Sequence, residues 1–401
     1  MMTSLSSCLP DIPIAFQDAA LLSAFAHPDH LLFVGSRGFA HLSPSSILKS
    51  NGYRKRRKTF VNLTVTSHGS RGYLASKQKQ QGLALIYVLL IFSIITVMAS
   101  KILSTLWLET KAGAHYLEQV QARQYGLGGE QYASLVLEQD FQKDQDSGRQ
   151  VDFTGEQWST PVVDESLEEG RIIIVIRDAA SGINLNGLTS RKENEEGMKT
   201  ALSRLLVNHG LDHSLLAKIQ DWQDEDQRTR PSGGEDDTYL LNEPPYRTAG
   251  SELVSLSELA LLEAVTVDDL AAVLPLLSTL PENSALNINT APDEVLLSLS
   301  ERMSSTQVDA ILDARKEDGI SGFSELSAIT ELAAVLPELK HKRLGYFTRY
   351  FQVFIKASYR DADFYLRSLM YRHEDGRTQV VEREMGYNEI WPELEKELGD
   401  G

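Results

Sequence analysis

Cysteine is almost missing from this chain. Cys8 is the single one among 401 residues, so neither an intrachain disulfide nor a multi-cysteine metal site can form. Positive charge is also scarce, with 39 Lys+Arg against 56 Asp+Glu and a net charge of −17. That balance argues against a general nucleic-acid binder, which needs Lys and Arg to displace counterions from phosphate. No repeat of 20–50 residues stands out. The sequence also lacks a phosphate-binding loop, a dinucleotide fingerprint and a nucleophile–base arrangement, so it does not read as an enzyme. His209 and His213 have helical spacing, but Gly210 lies between them and the glutamate of a zinc-protease motif is absent; they read as a helix end or surface turn. What is present is ordinary for a globular protein: 42% hydrophobic and 24% charged residues, with length for two or three units.

The charge is unevenly spread. Residues 1–82 hold ten Lys/Arg and three acids, or +7, whereas residues 83–401 hold 29 bases against 53 acids, or −24. Between the two lies Leu83–Ser100, 18 residues without a charge. As a helix it reaches about 27 Å, close to the hydrocarbon thickness of a bilayer. Lys101 interrupts the run and Ile102–Leu108 continues it. A buried core helix is the bland alternative, but soluble helices are rarely apolar on every side. A cleavable secretory signal is the other, but its apolar stretch is usually shorter. Arg71, Lys77 and Lys79 precede the run and the acidic mass follows it. The positive-inside rule then leaves the N-terminus in the cytoplasm and the remaining ~300 residues outside.

The join KQKQQG–LALIYVLLIFSII, a basic leader ending in Gly82 and an apolar helix starting at Leu83, resembles the processing site of type IV pilin-like proteins. The resemblance implies that a prepilin peptidase cuts between Gly82 and Leu83 and that the new amine is methylated. Most such proteins carry Glu at the fifth mature position; here it is Tyr87. That departure resembles the minor pseudopilin K family of type II secretion, whose members lack this carboxylate. The family leader is short, and Leu74 opens a nine-residue stretch, LASKQKQQG, of ordinary length. Translation is therefore expected to start near Leu74, with residues 1–73, including the basic cluster Arg54–Lys58, an extension outside the natural protein.

From Trp107 to about Asp140 the chain reads as helix, weakened by Gly126, Gly128 and Gly129 at roughly 1 kcal/mol each. Arg171–Arg177 is a β-branched run and hence a strand, and Gly182–Leu188 a turn into a second short one. Residues 190–345 are helical in pattern. Tyr350–Tyr359, Phe364–Tyr371 and Thr378–Tyr387 alternate as an antiparallel meander. The expected organisation is a leader (1–82), a membrane segment (83–108), a pilin-like α/β part (109–189), an inserted α-domain (190–345) and C-terminal strands (346–401). The fold class is α+β, a long N-terminal helix with an antiparallel sheet and a large helical insertion.

Residues 221–237, DWQDEDQRTRPSGGEDD, pack seven carboxylates into 17 positions. Pro231, Gly233 and Gly234 let the chain fold back. Carboxylates this crowded must be solvated or share a hard cation, and calcium takes six to eight oxygens. The EF-hand spacing is absent, because Arg228 stands where the next ligand belongs. Composition alone favours a solvated acidic loop. The protein K family, however, has a similar pattern, D-W-x-D-x-D, then G-x-E-D, a tyrosine and P-P-Y-R. Here these are Asp221, Trp222, Asp224, Asp226, Gly233, Glu235, Asp236, Tyr239 and Pro244–Arg247. The resemblance implies structural calcium, with Asp224, Asp226, Glu235 and Asp236 as first-choice ligands and Asp237 next.

Residues 286–327 open on NINTAP and resemble a helix-hairpin-helix module, with Thr290/Asp293 and Ser304/Gln307 at capping-box spacing. The hairpin ERMSS lacks the glycines that would present amides to phosphate, so packing is the better reading. A membrane-anchored DNA-uptake protein is the alternative function. The leading reading is a single-pass inner-membrane protein with a periplasmic domain that caps the pseudopilus tip with minor pseudopilins I and J and helps start its assembly. It implies further contacts with the major pseudopilin and with prepilin peptidase as processing enzyme, and none with nucleic acid.

Overall fold

The computed structural model describes residues 81–188, 193–266, 270–388 and 390–399. The start near Leu74 and the basic cluster expected of the leader lie outside them. The first element, α1 (Gln81–Ser147), runs for 67 residues. Residues up to Gly113 belong to one body and those from Ala114 onward to a second.

In the first body the large apolar side chains from Leu83 to Leu108 are 50–68% exposed. This helix is long and apolar enough to cross a membrane. Its few hydroxyls satisfy themselves: Ser93 donates to the Leu90 carbonyl, Thr96 to Phe92 and Ser104 to Ser100, each within 2.9 Å. In hydrocarbon, where no water can serve, this internal pairing removes the cost of a bare hydroxyl.

The second body is built on a five-stranded sheet with strand order β1 (Val162–Asp164), β2 (Gly170–Asp178), β7 (Tyr350–Tyr359), β8 (Ala362–Arg372), β9 (Thr378–Met385), every pair antiparallel. Ile172, Ile174 and Ile176 of β2 join Phe351, Val353, Ile355, Leu366 and Met370 under the second half of α1. Ile173 and Val175 face the other way, onto Trp391 and Leu394 of a C-terminal helix (Trp391–Gly399). The unbroken IIIVI run of β2 thus reflects cover on both faces. That last helix corrects the expectation of strands alone after residue 346; its PELEKEL is polar on one side and fills the remaining sheet face.

Gly126 and Gly129 have a reason to be in a helix. A Cβ at Gly129 would sit 2.6 Å from Ile172 Cδ1, and one at Gly126 2.5 Å from the Phe364 ring. The two glycines let α1 lie close on the sheet.

The chain leaves the sheet at Asp178 and returns at Tyr350, although β2 and β7 are hydrogen-bonded neighbours from Gly170↔Tyr359 to Asp178↔Phe351. Everything between is inserted there. It forms its own core, including Leu202, Leu205, Trp222, Leu259, Leu296, Ile311 and Leu332. The insertion consists of short helices, Glu193–Asn208 (α2), Ser214–Gln223 (α3), Asp236–Tyr239 (α4), Asp293–Ser298 (α5), Ser305–Ala314 (α6), Phe323–Ala328 (α7) and Leu336–Leu339 (α8). Two parallel two-residue ladders, Ile183–Asn184 (β3) with Leu277–Ser278 (β4) and Leu286–Asn287 (β5) with Leu344–Gly345 (β6), tie each end of the insertion to its middle.

Candidate functional site

Asp221 lies in the last turn of α3 and Asp224 at its C-cap. The loop then turns at Asp226, whose Oδ1 accepts the Arg228 amide at 2.9 Å, and comes back to Glu235, the residue preceding α4. Glu235 occupies a helix N-cap position but its side chain does not cap. Oxygens of Asp224, Asp226 and Glu235 instead lie within 4.8 Å of one another. Glu235 is 1% exposed. Both of its carboxylate oxygens, and Oδ1 of Asp224, are buried without a hydrogen-bond partner. Burial, with the charges of Asp221, Asp224 and Asp226, pushes the Glu235 carboxyl up to about 7. Two full negative charges at such a separation repel by about 3–4 kcal/mol at an effective dielectric near 20. Buried, unpartnered carboxylate oxygens facing one another are what a hard cation would satisfy.

The wall of this site is rigid. Trp222 is buried, meets Tyr239 edge-on with ring centres 5.3 Å apart, and donates through Nε1 to Glu258 at 3.2 Å. Tyr246 stacks on Tyr239 at 5.5 Å. Gly233 is required where the loop passes Asp221, since a Cβ there would lie 1.9 Å from Asp221 Oδ2.

Of the expected ligands, the structure gathers Asp224, Asp226 and Glu235 and leaves out the other two. Asp236 turns away: its Oδ2 accepts from Arg247 at 2.7 Å and its Oδ1 from the Thr248 amide and hydroxyl at 3.1 Å. The Thr248 and Arg247 bonds overcome desolvation and hold its carboxyl below the usual range. Asp237 is exposed in the first turn of α4. Asp221, fully buried and outside the expected ligand set, pairs with Arg230, nine positions on, a pairing that spacing does not reveal.

A second carboxylate group, Asp140, Asp152 and Glu156, is equally close-set, but it already has its cation. Arg372, 2% exposed, donates through Nη2 to both Asp152 oxygens at 2.6 Å and through Nη1 to Asp140 at 3.2 Å. Glu156 accepts from Trp158 Nε1 at 2.7 Å and from the Phe153 amide at 3.0 Å.

The NINTAP segment is a buried clasp. Asn287 and Asn289 are fully buried. Asn287 donates to Asp178 at 2.7 Å and to the Asp152 carbonyl at 2.9 Å. Asn289 donates to the Ile320 and Tyr346 carbonyls, both at 2.9 Å. The expected box at Thr290/Asp293 does not form, because the Thr290 hydroxyl goes to Asp178 at 2.6 Å and α5 starts after Pro292 without a side-chain cap. The Ser304/Gln307 box does form, capping the amides that a phosphate-gripping hairpin would have to present. Gly82 and Leu83, the expected processing pair, lie in the first turn of α1.

Family models described as type II secretion system protein K match residues 181–282, which hold the acidic site, and 286–341, which open on the clasp. A type II secretion system protein K of Pseudomonas aeruginosa is 33% identical over 318 residues, covering 77% of this chain and 94% of its own. The chain belongs to the type II secretion system protein K family. Members from Klebsiella pneumoniae and Pectobacterium carotovorum are 30% and 29% identical, covering 97% and 98% of their own lengths. A chain in the crystal structure of the GspK–GspI–GspJ complex of enterotoxigenic Escherichia coli shares the fold, with a TM-score of 0.57, 20% identity, and 69% of this chain and 99% of that one covered. Membership makes this protein a minor pseudopilin and a structural component of the secretion system, and the apolar part of α1 fits a single-pass inner-membrane anchor.

Proposed function

We propose that this protein caps the tip of the type II secretion pseudopilus together with minor pseudopilins I and J, and helps start the fibre that drives export. The observation that carries the reading is the place of the insertion. A whole helical domain enters between β2 and β7 at one end of the sheet, and such bulk on a pilin-like body would obstruct another subunit stacked above it. Tyr87 supports it, since a subunit lacking the carboxylate of the fifth mature position cannot neutralise the amine of a subunit above. The relative in the Escherichia coli complex is accompanied by GspI and GspJ.

Before assembly, prepilin peptidase cuts between Gly82 and Leu83 and methylates the new amine; the soluble body then lies in the periplasm, where the major pseudopilin fibre grows beneath it. Asp224, Asp226 and Glu235 would hold calcium, the partnerless oxygens of Asp224 and Glu235 suiting it, and the ion would fix the loop after α3. When bound, the ion supplies only charge neutralisation and structure. Residues Trp222, Tyr239 and Asp221 hold the ligand loop in place around it.

Cross-linking in intact cells followed by purification of this chain tests the reading. Recovery of two further minor pseudopilins, with secretion lost on deletion of the gene, is expected. Recovery of the chain without pilin-like partners, or undiminished secretion after deletion, counts against it. A Gly82→Ala variant is expected to keep its leader, seen as a higher intact mass.

A further inference from the structure

The metal loop contains its own cation. Arg230 lies between the two acidic clusters of the sequence, and its Nη1 donates at 2.5 Å both to Asp221 Oδ1 and to Asp224 Oδ2. Its backbone amide donates to the other Asp221 oxygen at 2.9 Å. Asp221 is fully buried, so the arginine is pinned at backbone and side chain to one fixed post. Asp224 is thereby held by one oxygen; its other oxygen, Oδ1, is left partnerless, and the carboxylate keeps an oxygen within 4.8 Å of those of Asp226 and Glu235. Arg228, two residues earlier, is exposed and offers only its amide, to Asp226.

Resting on the calcium reading above, we propose that Arg230 is an internal stand-in cation: it keeps the metal-binding carboxylates assembled while no metal is bound, so that calcium enters a loop already in place. Four carboxylates, Asp221, Asp224, Asp226 and Glu235, converge here, and among the described residues Arg230 is the one positive side chain paired with them. Removing it from the metal-free loop leaves like charges facing one another across a few ångströms, which drives the loop open. With calcium in place two positive charges are added, and the loss of one arginine is largely covered. A carboxylate held by a second group is also the usual way a protein aims a metal ligand. Arg230 is therefore a positioning residue whose weight falls on the metal-free state.

The test uses the full-length protein in detergent micelles, comparing wild type, Arg230→Met and Arg230→Lys in chelator and in saturating calcium. Thermal unfolding is one readout; trypsin cleavage at the Arg228–Thr229 bond is the other. Arg230→Met is expected to lose several degrees of Tm and to be cut several-fold faster in chelator, with both changes largely erased by calcium. Its calcium-induced rise in Tm therefore exceeds that of the wild type. Arg230→Lys, which keeps the charge, is expected to stay near wild type in both conditions. Equal losses with and without calcium would mean an ordinary structural contact and overturn the proposal, as would no loss in either. A wild type that does not respond to calcium overturns the calcium reading itself, and the stand-in role with it; the wild-type arm keeps the two failures apart.

Discussion

Arg372, near the end of β8, and Asp152, in the segment between α1 and β1, form a two-pronged ion pair with Arg372 Nη2 2.6 Å from each carboxylate oxygen. Both are almost without exposure, at 2% and 0%. Asp152 Oδ2 also accepts the Thr348 amide at 2.7 Å, and Arg372 donates to the Thr348 carbonyl at 3.0 Å. Phe351 lies under the guanidinium at 4.8 Å. The pair thus sits where α1, the sheet and the returning end of the insertion meet. Arg372→Met would strand Asp152 and Asp140 in the interior, and breaking one side of a buried pair costs about 3–5 kcal/mol. Thermal unfolding is expected to show that loss, while the double variant Arg372→Met/Asp152→Asn should recover part of it.

Asp140 and two further carboxylates give the protein a pH dependence. Burial pushes Glu156 up to about 8 and Asp140 up to about 7, in each case reinforced by a neighbouring aspartate, and burial alone raises Asp178 to about 6. Each of these groups holds its proton more tightly in the native state than in the unfolded chain, where Asp and Glu titrate near 4. The stabilisation they offer is complete below about pH 4 and is lost as pH rises through 6, 7 and 8. Melting temperatures measured from pH 5 to 9 are expected to fall along this series. Glu156→Gln should flatten the upper part of the slope; an unchanged slope would contradict the assignment.

Gly129 tests how closely α1 lies on the sheet. In an exposed helix Gly→Ala gains about 1 kcal/mol. Here the new methyl would meet Ile172 Cδ1 at 2.6 Å, and Ile172 is fully buried. Overpacking a filled core costs typically 1–3 kcal/mol, so Gly129→Ala should destabilise. Gly113, with nothing within 4 Å of an added Cβ, should show the ordinary gain.

Periodic features were the legible ones. The β-branched run of β2 and the three alternating C-terminal segments needed only local pattern, and they correspond to β2, β7, β8 and β9 within a few residues. The helix-weakening glycines were visible, but their purpose was not, because it depends on Ile172 and Phe364 reaching them from strands 43 or more positions away. Thr290 misled for the same reason. Its spacing to Asp293 fits a cap, but the buried Asp178, 112 positions earlier, takes the hydroxyl. At the acidic loop the residue types and their clustering marked the stretch in which three carboxylates come together. The choice among seven carboxylates was settled by Arg247 and Thr248 taking Asp236 and by the turn of α4 leaving Asp237 in solvent.

On the proposed calcium reading, Glu235→Gln should produce effects of opposite sign without and with the ion. In the metal-free protein the wild-type carboxylate is buried, its oxygens are partnerless, and it faces Asp224 and Asp226. The amide keeps the shape and removes the charge, so in chelator the variant is expected to melt higher by about 2–4 °C, the shift of a 1 kcal/mol change in a domain of 150–250 residues. With calcium the order reverses, since an amide oxygen is a weaker partner for a hard cation than a carboxylate. Asp237→Asn, altering an exposed side chain outside the cluster, should leave the stability in both conditions within about 0.5 kcal/mol of wild type. Paired melting curves in chelator and calcium check all four values. A Glu235→Gln curve that falls in chelator would show that the carboxylate is held by a partner rather than waiting for one.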